Sequence, residues 1–109
     1  QVVCPLGVGG HVDHKLVREA AEGLGRALWF YADYPYVAND IAQLSSYIDN
    51  TWRAFLQWIT PQSLAAWQEA IKAYTSQIST FWENPEGMCN AVEKYWHSGG
   101  GGTLWQPGQ

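Results

Sequence analysis

The 109-residue sequence predicts an α/β sandwich, in which helices cover a sheet that contains parallel strands. Two continuous apolar runs support this, "QVVCPL" at residues 1–6 and "ALWFYADY" at residues 27–34, and each fits a buried strand. Between them lies a segment with helical periodicity. Strand, helix and strand form a βαβ unit, whose two strands run parallel. The remainder of the chain is predicted to be mainly helical.

The first predicted helix follows a glycine-rich turn that ends the first strand at Gly7. Asp13 is the candidate N-cap and Gly25 the candidate C-terminal stop. One face of this helix carries apolar residues at helical spacing, and we expect it to be buried. These residues are Val12, Leu16, Val17, Ala20, Ala21 and Leu24.

After Pro35 the pattern changes. The segment "NDIAQLSSYI", residues 39–48, predicts a helix with Ile41, Leu44 and Ile48 facing inward. The segment "WRAFLQWI", residues 52–59, is ambiguous, because it fits either a continuation of that helix or a strand.

A new helix is predicted to start at Thr60-Pro61, with Thr60 as N-cap and Pro61 at the first helical position. Asn84-Pro85 ends it, and a last helix over residues 86–96 stops at the run of four glycines. "TLWQ", residues 103–106, is predicted to be a closing edge strand. One face of the long helix is marked by Leu64, Trp67, Ile71, Tyr74, Ile78 and Phe81.

Composition excludes several partner classes. The net charge is −4 and the six lysines and arginines are scattered, which argues against nucleic acid or an anionic membrane surface. Cys4 and Cys89 are predicted to be reduced thiols, and no apolar run approaches membrane-spanning length, so we expect a cytoplasmic protein. The chain begins in an apolar run and its only methionine is Met88, so we expect the C-terminal part of a longer protein.

His11, Asp13 and His14 form the most informative cluster. They follow a strand and open a helix, which is where open α/β sheets bind ligands. Both histidines can face one pocket, and Asp13 can hydrogen-bond an imidazole as carboxylates do for metal-bound histidine. Four residues alone favour a helix cap at Asp13 with histidines in a surface loop, and it is the position after a strand that raises the functional interpretation above this one. A catalytic metal usually takes three protein ligands, and His97 is expected on the surface, so the chain supplies only part of a site.

Four ordered segments resemble the PIG-L/LmbE family of metal-dependent N-acetylglucosaminyl deacetylases. "PLGVGGHVDHKLVREAA" resembles the family's second motif, and "WFYADYPYV" its following strand and Asp-Tyr-Pro-Tyr turn. "AIKAYTSQISTFW" resembles a later helix, and "GGTLW" the end of the domain. The similarity is collinear and covers essentially residues 1–109, with residues 38–61 the least similar.

The resemblance implies a Rossmann-like three-layer sandwich and a zinc-dependent hydrolase that removes the acetyl group from an N-acetylglucosamine conjugate. It makes His14 the metal ligand, His11 the oxyanion-stabilising or acid residue, and Asp13 the carboxylate that tunes a histidine. The family's first motif, with two metal ligands and the general base, is absent and would precede Gln1. Gly9 stands where some members carry tyrosine, and Gly102-Thr103 replaces a closing Glu-Arg.

Two other hypotheses compete with the deacetylase. The chain could be a catalytically incomplete fragment or a non-enzymatic binding module. Another α/β metal hydrolase, such as a phosphoesterase, would require more aspartates and histidines than the chain holds. A βαβ unit without neighbouring strands exposes apolar edges, which favours a homo-oligomer.

Overall fold

The structure is a computed structural model that describes residues 1–108, and it contains two compact units. One unit comprises residues 1–57 with the segment that begins at Thr103, and the other comprises residues 58–102. Gln109, the last residue of the predicted domain, lies outside the described residues.

The first unit is built on a four-stranded mixed sheet with strand order β1-β2-β4-β3. β1 and β2 run parallel with Val2 opposite Leu28, whereas β4 is antiparallel to both of its neighbours. The helix α1 (Val12–Glu22) connects β1 to β2, which confirms the predicted βαβ unit and the α/β class. The strands are β1 (Val2–Pro5), β2 (Leu28–Tyr31), β3 (Arg53–Leu56) and β4 (Thr103–Gln106).

The last strand lies inside the sheet and not at its edge, so the predicted position of "TLWQ" is wrong. The reason is that β3, the strand alternative for the ambiguous segment, pairs with β4 along its whole length from Arg53↔Gln106 to Leu56↔Thr103. The edges are β1 and β3. Pro5 lies on β1, as expected of a residue that has no N–H to donate to a second neighbour.

The ends of α1 differ from their predicted positions. The N-cap is His11, whose Nδ1 accepts a hydrogen bond from the backbone N–H of Asp13, so Asp13 is in the first turn and is not the cap. An imidazole nitrogen can accept this bond as a hydroxyl or carboxylate oxygen does. The helix ends at Glu22 with Gly23 as C-cap, and Gly25 (φ +63°) follows in the turn toward β2.

The apolar face of α1 is mostly exposed, contrary to prediction. Of its six residues only Ala21 is buried, and Val12 and Leu16 keep 63% and 58% of their surface exposed. The apolar residues lie in a helix, as their spacing predicts, but five of the six are exposed in the described part of the chain. An uncovered apolar stripe of this kind is typical of a surface that another layer or chain covers.

Short helical turns occupy the region where a continuous helix over residues 39–48 was predicted. They are α2 (Tyr36–Asn39), a 3₁₀ turn (Ile41–Gln43) and α3 (Leu44–Tyr47). Asp40 interrupts the helix with a non-helical backbone conformation (φ −148°, ψ 81°), and its carboxylate accepts a hydrogen bond from the Gln43 side-chain amide. Ile41, predicted to be buried, is 67% exposed.

The second unit is a group of three helices, α4 (Pro61–Lys72), α5 (Thr75–Phe81) and α6 (Pro85–His97). The predicted start is confirmed, because the Thr60 hydroxyl accepts a hydrogen bond from the Ser63 N–H at 3.1 Å and Pro61 is the first helical residue. The predicted long helix is interrupted at Tyr74 (φ −90°, ψ 58°), which changes the chain direction and leaves that side chain 69% exposed.

The last helix agrees with prediction to within one residue at each end, and the side-chain amide oxygen of Asn84 (Oδ1) caps it by accepting from the Gly87 N–H. None of the helices within residues 1–108 has the length and apolar character needed to cross a membrane. Both cysteines are free thiols, Cys4 buried and Cys89 half-buried, and burial raises the pKa of Cys4. The buried core of the second unit comprises Leu64, Ile78, Met88 and Val92.

Candidate functional site

A tight glycine turn after β1 presents the two histidines. The Gly10 N–H donates to the Gly7 carbonyl at 3.0 Å, and the Tyr47 hydroxyl donates to the same carbonyl at 2.9 Å. Gly7 has φ +96°, a conformation that side chains other than glycine rarely adopt. Leu6 and Val8 are completely buried and anchor the turn. The turn therefore positions the start of α1 rigidly at the carboxyl end of β1.

His11 is oriented by the backbone of the helix that it caps. Its Nδ1 accepts the Asp13 N–H at 3.1 Å, so in the neutral ring the proton lies on Nε2. The Asp13 side chain is exposed, and it is the backbone of this residue that contacts His11. The ring centroids of His11 and His14 are 4.9 Å apart. The structure therefore brings the two histidines together, with His11 offering an N–H donor.

His14 faces a carboxylate that comes from the end of the neighbouring strand. Asp33 follows β2, and its Oδ2 lies 3.6 Å from His14 Nδ1. The Asp33 side chain is fully buried, whereas that of His14 keeps 32% of its surface exposed. The two residues meet because β1 and β2 are parallel neighbours, and their carboxyl ends share one edge of the sheet.

The charge of the Asp33 carboxylate is only partly stabilised by the groups around it. Burial raises the pKa of Asp33, and the His14 ring and the backbone amides of Gly7 and Val8 offset this effect only in part. In the described part of the chain, neither Asp33 oxygen nor His14 Nδ1 completes a hydrogen bond of good geometry. Leaving a buried polar group unsatisfied costs roughly 1–3 kcal/mol. Such groups concentrate at functional sites.

Tyr36 closes one side of the histidine pair. Its ring centroid lies 6.2 Å from that of His11 and 5.9 Å from that of His14. A Cβ atom at Gly9, which has φ +91°, would lie 2.6 Å from the Tyr36 side chain. The tyrosine that some members of the resembled family carry at this position therefore has no room here, because Tyr36 fills the space.

The described residues do not form a complete metal site. No group of three or more histidine, cysteine, aspartate or glutamate side chains within residues 1–108 is arranged to hold a metal ion. With Nδ1 of His14 directed toward Asp33, Nε2 is the ring atom of this histidine that could accept a metal. The geometry therefore supplies one imidazole nitrogen and a carboxylate beside the other nitrogen of the same ring.

Asp33 is the site residue that sequence reasoning missed. In the sequence it stands only as the first residue of the Asp-Tyr-Pro-Tyr turn, and the resemblance gives the carboxylate role to Asp13. A signal was present, since a charged residue directly after a buried strand that is parallel to the first would lie at the same sheet edge. His97 lies on α6, is 63% exposed and has Glu93 Oε1 3.6 Å from its Nε2, as expected of a surface histidine.

Comparisons of the chain with known protein families, with curated proteins and with solved structures found no match.

Proposed function

We propose that this chain supplies one half of the metal site of a zinc-dependent N-acetylglucosaminyl deacetylase of the PIG-L/LmbE type. Its sheet would be part of a Rossmann-like three-layer domain of a cytoplasmic protein. The observation that carries the proposal is the buried Asp33 carboxylate, 3.6 Å from the Nδ1 of a histidine whose other nitrogen is left for a ligand.

Within this proposal the two histidines have different roles because their Nδ1 atoms face different groups. Asp33 favours a proton on Nδ1 of His14, which leaves the lone pair on Nε2 for zinc. The Asp13 N–H keeps Nδ1 of His11 unprotonated, which leaves an N–H on Nε2. His14 is therefore the proposed ligand, and His11 the proposed donor to the oxygen of the scissile acetamide.

The capping bond favours one of the two roles that the resemblance allows His11. A cationic His11 that protonates the leaving amine would carry a proton on Nδ1 and would lose its bond to Asp13. Donation to the developing oxyanion requires no such change, and loss of one such donor costs about a hundredfold in rate. When bound, zinc would polarise the acetamide carbonyl and acidify its bound water.

The proposed role of Asp13 is to hold the His11 ring through its backbone, while Asp33 takes the carboxylate role toward a histidine. The remaining ligands and the general base would come from a His-Pro-Asp-Asp-Glu motif outside these residues. The exposed apolar face of α1 supports a further layer of the same domain on that side.

The alternative function is a non-catalytic fragment or binding module for a small molecule. The lack of a three-ligand cluster within residues 1–108 favours it. The two functions differ in what the longer protein must contain, so they can be separated by experiment.

Zinc titration of the 109-residue chain by calorimetry tests the metal half of the proposal. We expect weak binding that His14→Ala abolishes and that His11→Asn retains, because asparagine can still cap α1. Asp33→Asn should weaken zinc binding about 10- to 100-fold, as loss of an orienting partner does. The matched control is His97→Ala, which removes an exposed histidine and should change nothing. Equal loss in the His11 and His14 variants would contradict the assignment.

Assays on N-acetylglucosamine conjugates test the catalytic half. A longer protein with the motif should release acetate and lose this activity in the His14→Ala variant, whereas the 109-residue chain should be inactive. Turnover by the 109-residue chain would show that the base does not lie outside it. A full-length protein without the motif would support the binding module.

A further inference from the structure

A second site-like region lies at the other end of β2. A cleft of about 460 Å³ opens at the amino-terminal ends of β2 and β3. All three arginines of the chain, Arg18, Arg26 and Arg53, line this cleft, although the chain as a whole has a net charge of −4. Glu22 is the one carboxylate among its described lining residues. Three guanidiniums against one carboxylate leave two positive charges uncompensated.

Arg18 is held in place from several sides. Its Nη1 donates to the Leu6 carbonyl at 2.7 Å, and its Nε donates to Glu22 Oε1 at 2.8 Å. The guanidinium carbon lies 4.9 Å from the centroid of the Phe30 ring, and Phe30 is buried. A guanidinium with this many partners is a preorganised charge, which loses little entropy when an anion binds.

The other two arginines supply the uncompensated charge. Arg53 Nη2 lies 3.5 Å from the amide oxygen of Gln106, and its guanidinium lies 5.7 Å from the Phe55 ring. No carboxylate of the described chain forms an ion pair with Arg26 or Arg53, and both side chains are exposed. Like charges that converge on a cleft in an acidic chain attract anions.

The Trp52 side chain gives the cleft an aromatic surface that would favour a ligand with a ring. Trp52 is half-buried, lines the cleft and lies 5.4 Å from Phe30 between ring centroids, with an interplanar angle of 58°. Its exposed surface is therefore fixed beside the arginines. A half-buried tryptophan beside guanidiniums fits a ligand that is aromatic at one end and anionic at the other.

We propose that this cleft binds a small phosphate monoester, with its phosphate between the arginines and a ring against Trp52. The two uncompensated charges match the charge of nearly −2 that a phosphate monoester carries at neutral pH. Guanidiniums bind phosphate oxygens in pairs through parallel N–H donors. The described residues that line this cleft do not include His11, His14 or Asp33, so the proposal does not depend on the deacetylase assignment.

Calorimetry and NMR of the 109-residue chain with phenyl phosphate, inorganic phosphate and phenol test the proposal. Phenyl phosphate should bind and shift the indole resonance of Trp52. Inorganic phosphate should bind about tenfold more weakly, because it lacks the ring. Phenol, which has the ring without the charge, should bind no more than a tenth as well as phenyl phosphate. Absence of phenyl phosphate binding, or equal binding of phenol, would overturn the proposal.

Variants locate the site. Arg26→Gln with Arg53→Gln should weaken phenyl phosphate binding at least tenfold without unfolding the chain, because both side chains are exposed. Lys94→Gln removes one exposed positive charge from α6 and is the matched control, with an expected change below twofold. An equal loss in the Lys94 variant would mean that net charge, and not this cleft, attracts the anion. Trp52→Leu should abolish the advantage of phenyl phosphate over inorganic phosphate, and a preserved advantage would contradict the proposed stacking.

Discussion

The two ends of β2 hold charged side chains in opposite ways. At the carboxyl end, one fully buried carboxylate faces one imidazole, and their polar atoms lack complete hydrogen bonds. Near the amino end, an open cleft is lined by the exposed Arg26 and Arg53. The Arg18 guanidinium reaches this cleft from α1 and contacts the Leu6 carbonyl, the Glu22 carboxylate and the Phe30 ring. The Asp33 carboxylate in the first region is buried and incompletely hydrogen-bonded, whereas Arg26 and Arg53 in the second region are exposed to solvent.

The two regions should therefore respond differently to the same kind of substitution. Burial makes every added charge or methyl group at the carboxyl end costly in folding free energy. Exposure at the amino end leaves charges screened by water, so changes there should alter ligand binding more than stability. Substitutions at three positions test this contrast.

The largest effect is expected from an added methyl group at the turn after β1. Gly9→Ala imposes a positive φ on alanine and places its Cβ 2.6 Å from Tyr36, so we expect a loss of about 3 kcal/mol in unfolding free energy. Gly25→Ala, with φ +63° and open space around the new Cβ, is the matched control near the amino end and should cost about 1 kcal/mol. Urea unfolding measures both. Equal losses would show that Tyr36 moves aside.

An intermediate effect, of opposite sign, is expected at Asp33. Because burial raises its pKa in the folded chain above the usual 3.8, the folded state binds this proton more tightly than the unfolded state. Its contribution to stability is therefore complete below about pH 4 and is lost as the pH rises through the raised value. Asp33→Asn should stabilise the chain by about 1–2 kcal/mol at pH 7 and by much less at pH 4.

The measurement for Asp33 is the difference in unfolding free energy between variant and wild type at the two pH values, which cancels the titration of shared groups. A loss of stability at both pH values would mean that the contacts of the carboxylate with His14 and the backbone outweigh the cost of burying it. The contrast between the two regions would then fail.

The smallest effect on stability is expected at Glu22. Its ion pair with Arg18 is partly exposed, so Glu22→Gln should change the unfolding free energy by less than about 0.5 kcal/mol. Removal of the one carboxylate among the described cleft residues should nevertheless strengthen phenyl phosphate binding by up to about fivefold. A stability loss above about 1 kcal/mol would show that the amino end is as tightly constrained as the carboxyl end.

Much of the fold can be predicted from local sequence patterns. The βαβ unit, the Thr60-Pro61 start and the last helix follow from apolar runs and capping residues, which act over a few positions. Asp40 and Tyr74 interrupted predicted helices because backbone conformation at one residue overrides an apolar repeat that continues across it.

The candidate site likewise has one part that the local sequence reveals and another part that it does not. His11, Asp13 and His14 are visible as a cluster because four consecutive positions hold them. Asp33 lies nineteen positions beyond His14, and nothing local links the two. The capping role of His11 could not be predicted either, because Asp13 is the better N-cap by residue type. In the structure it is the His11 ring whose Nδ1 accepts the backbone N–H at the start of the helix.

Residue patterns alone predict the strand–turn–helix–strand order, the glycine turn and two histidines at the start of a helix. Three features become visible only in the folded chain: Asp33 reaches His14, β4 lies between β2 and β3, and Arg18, Arg26 and Arg53 share one cleft. The two sets differ in the range over which the underlying interactions act. Propensity and capping act between neighbours in the chain, whereas strand pairing and burial join segments whose separation in sequence carries no signal.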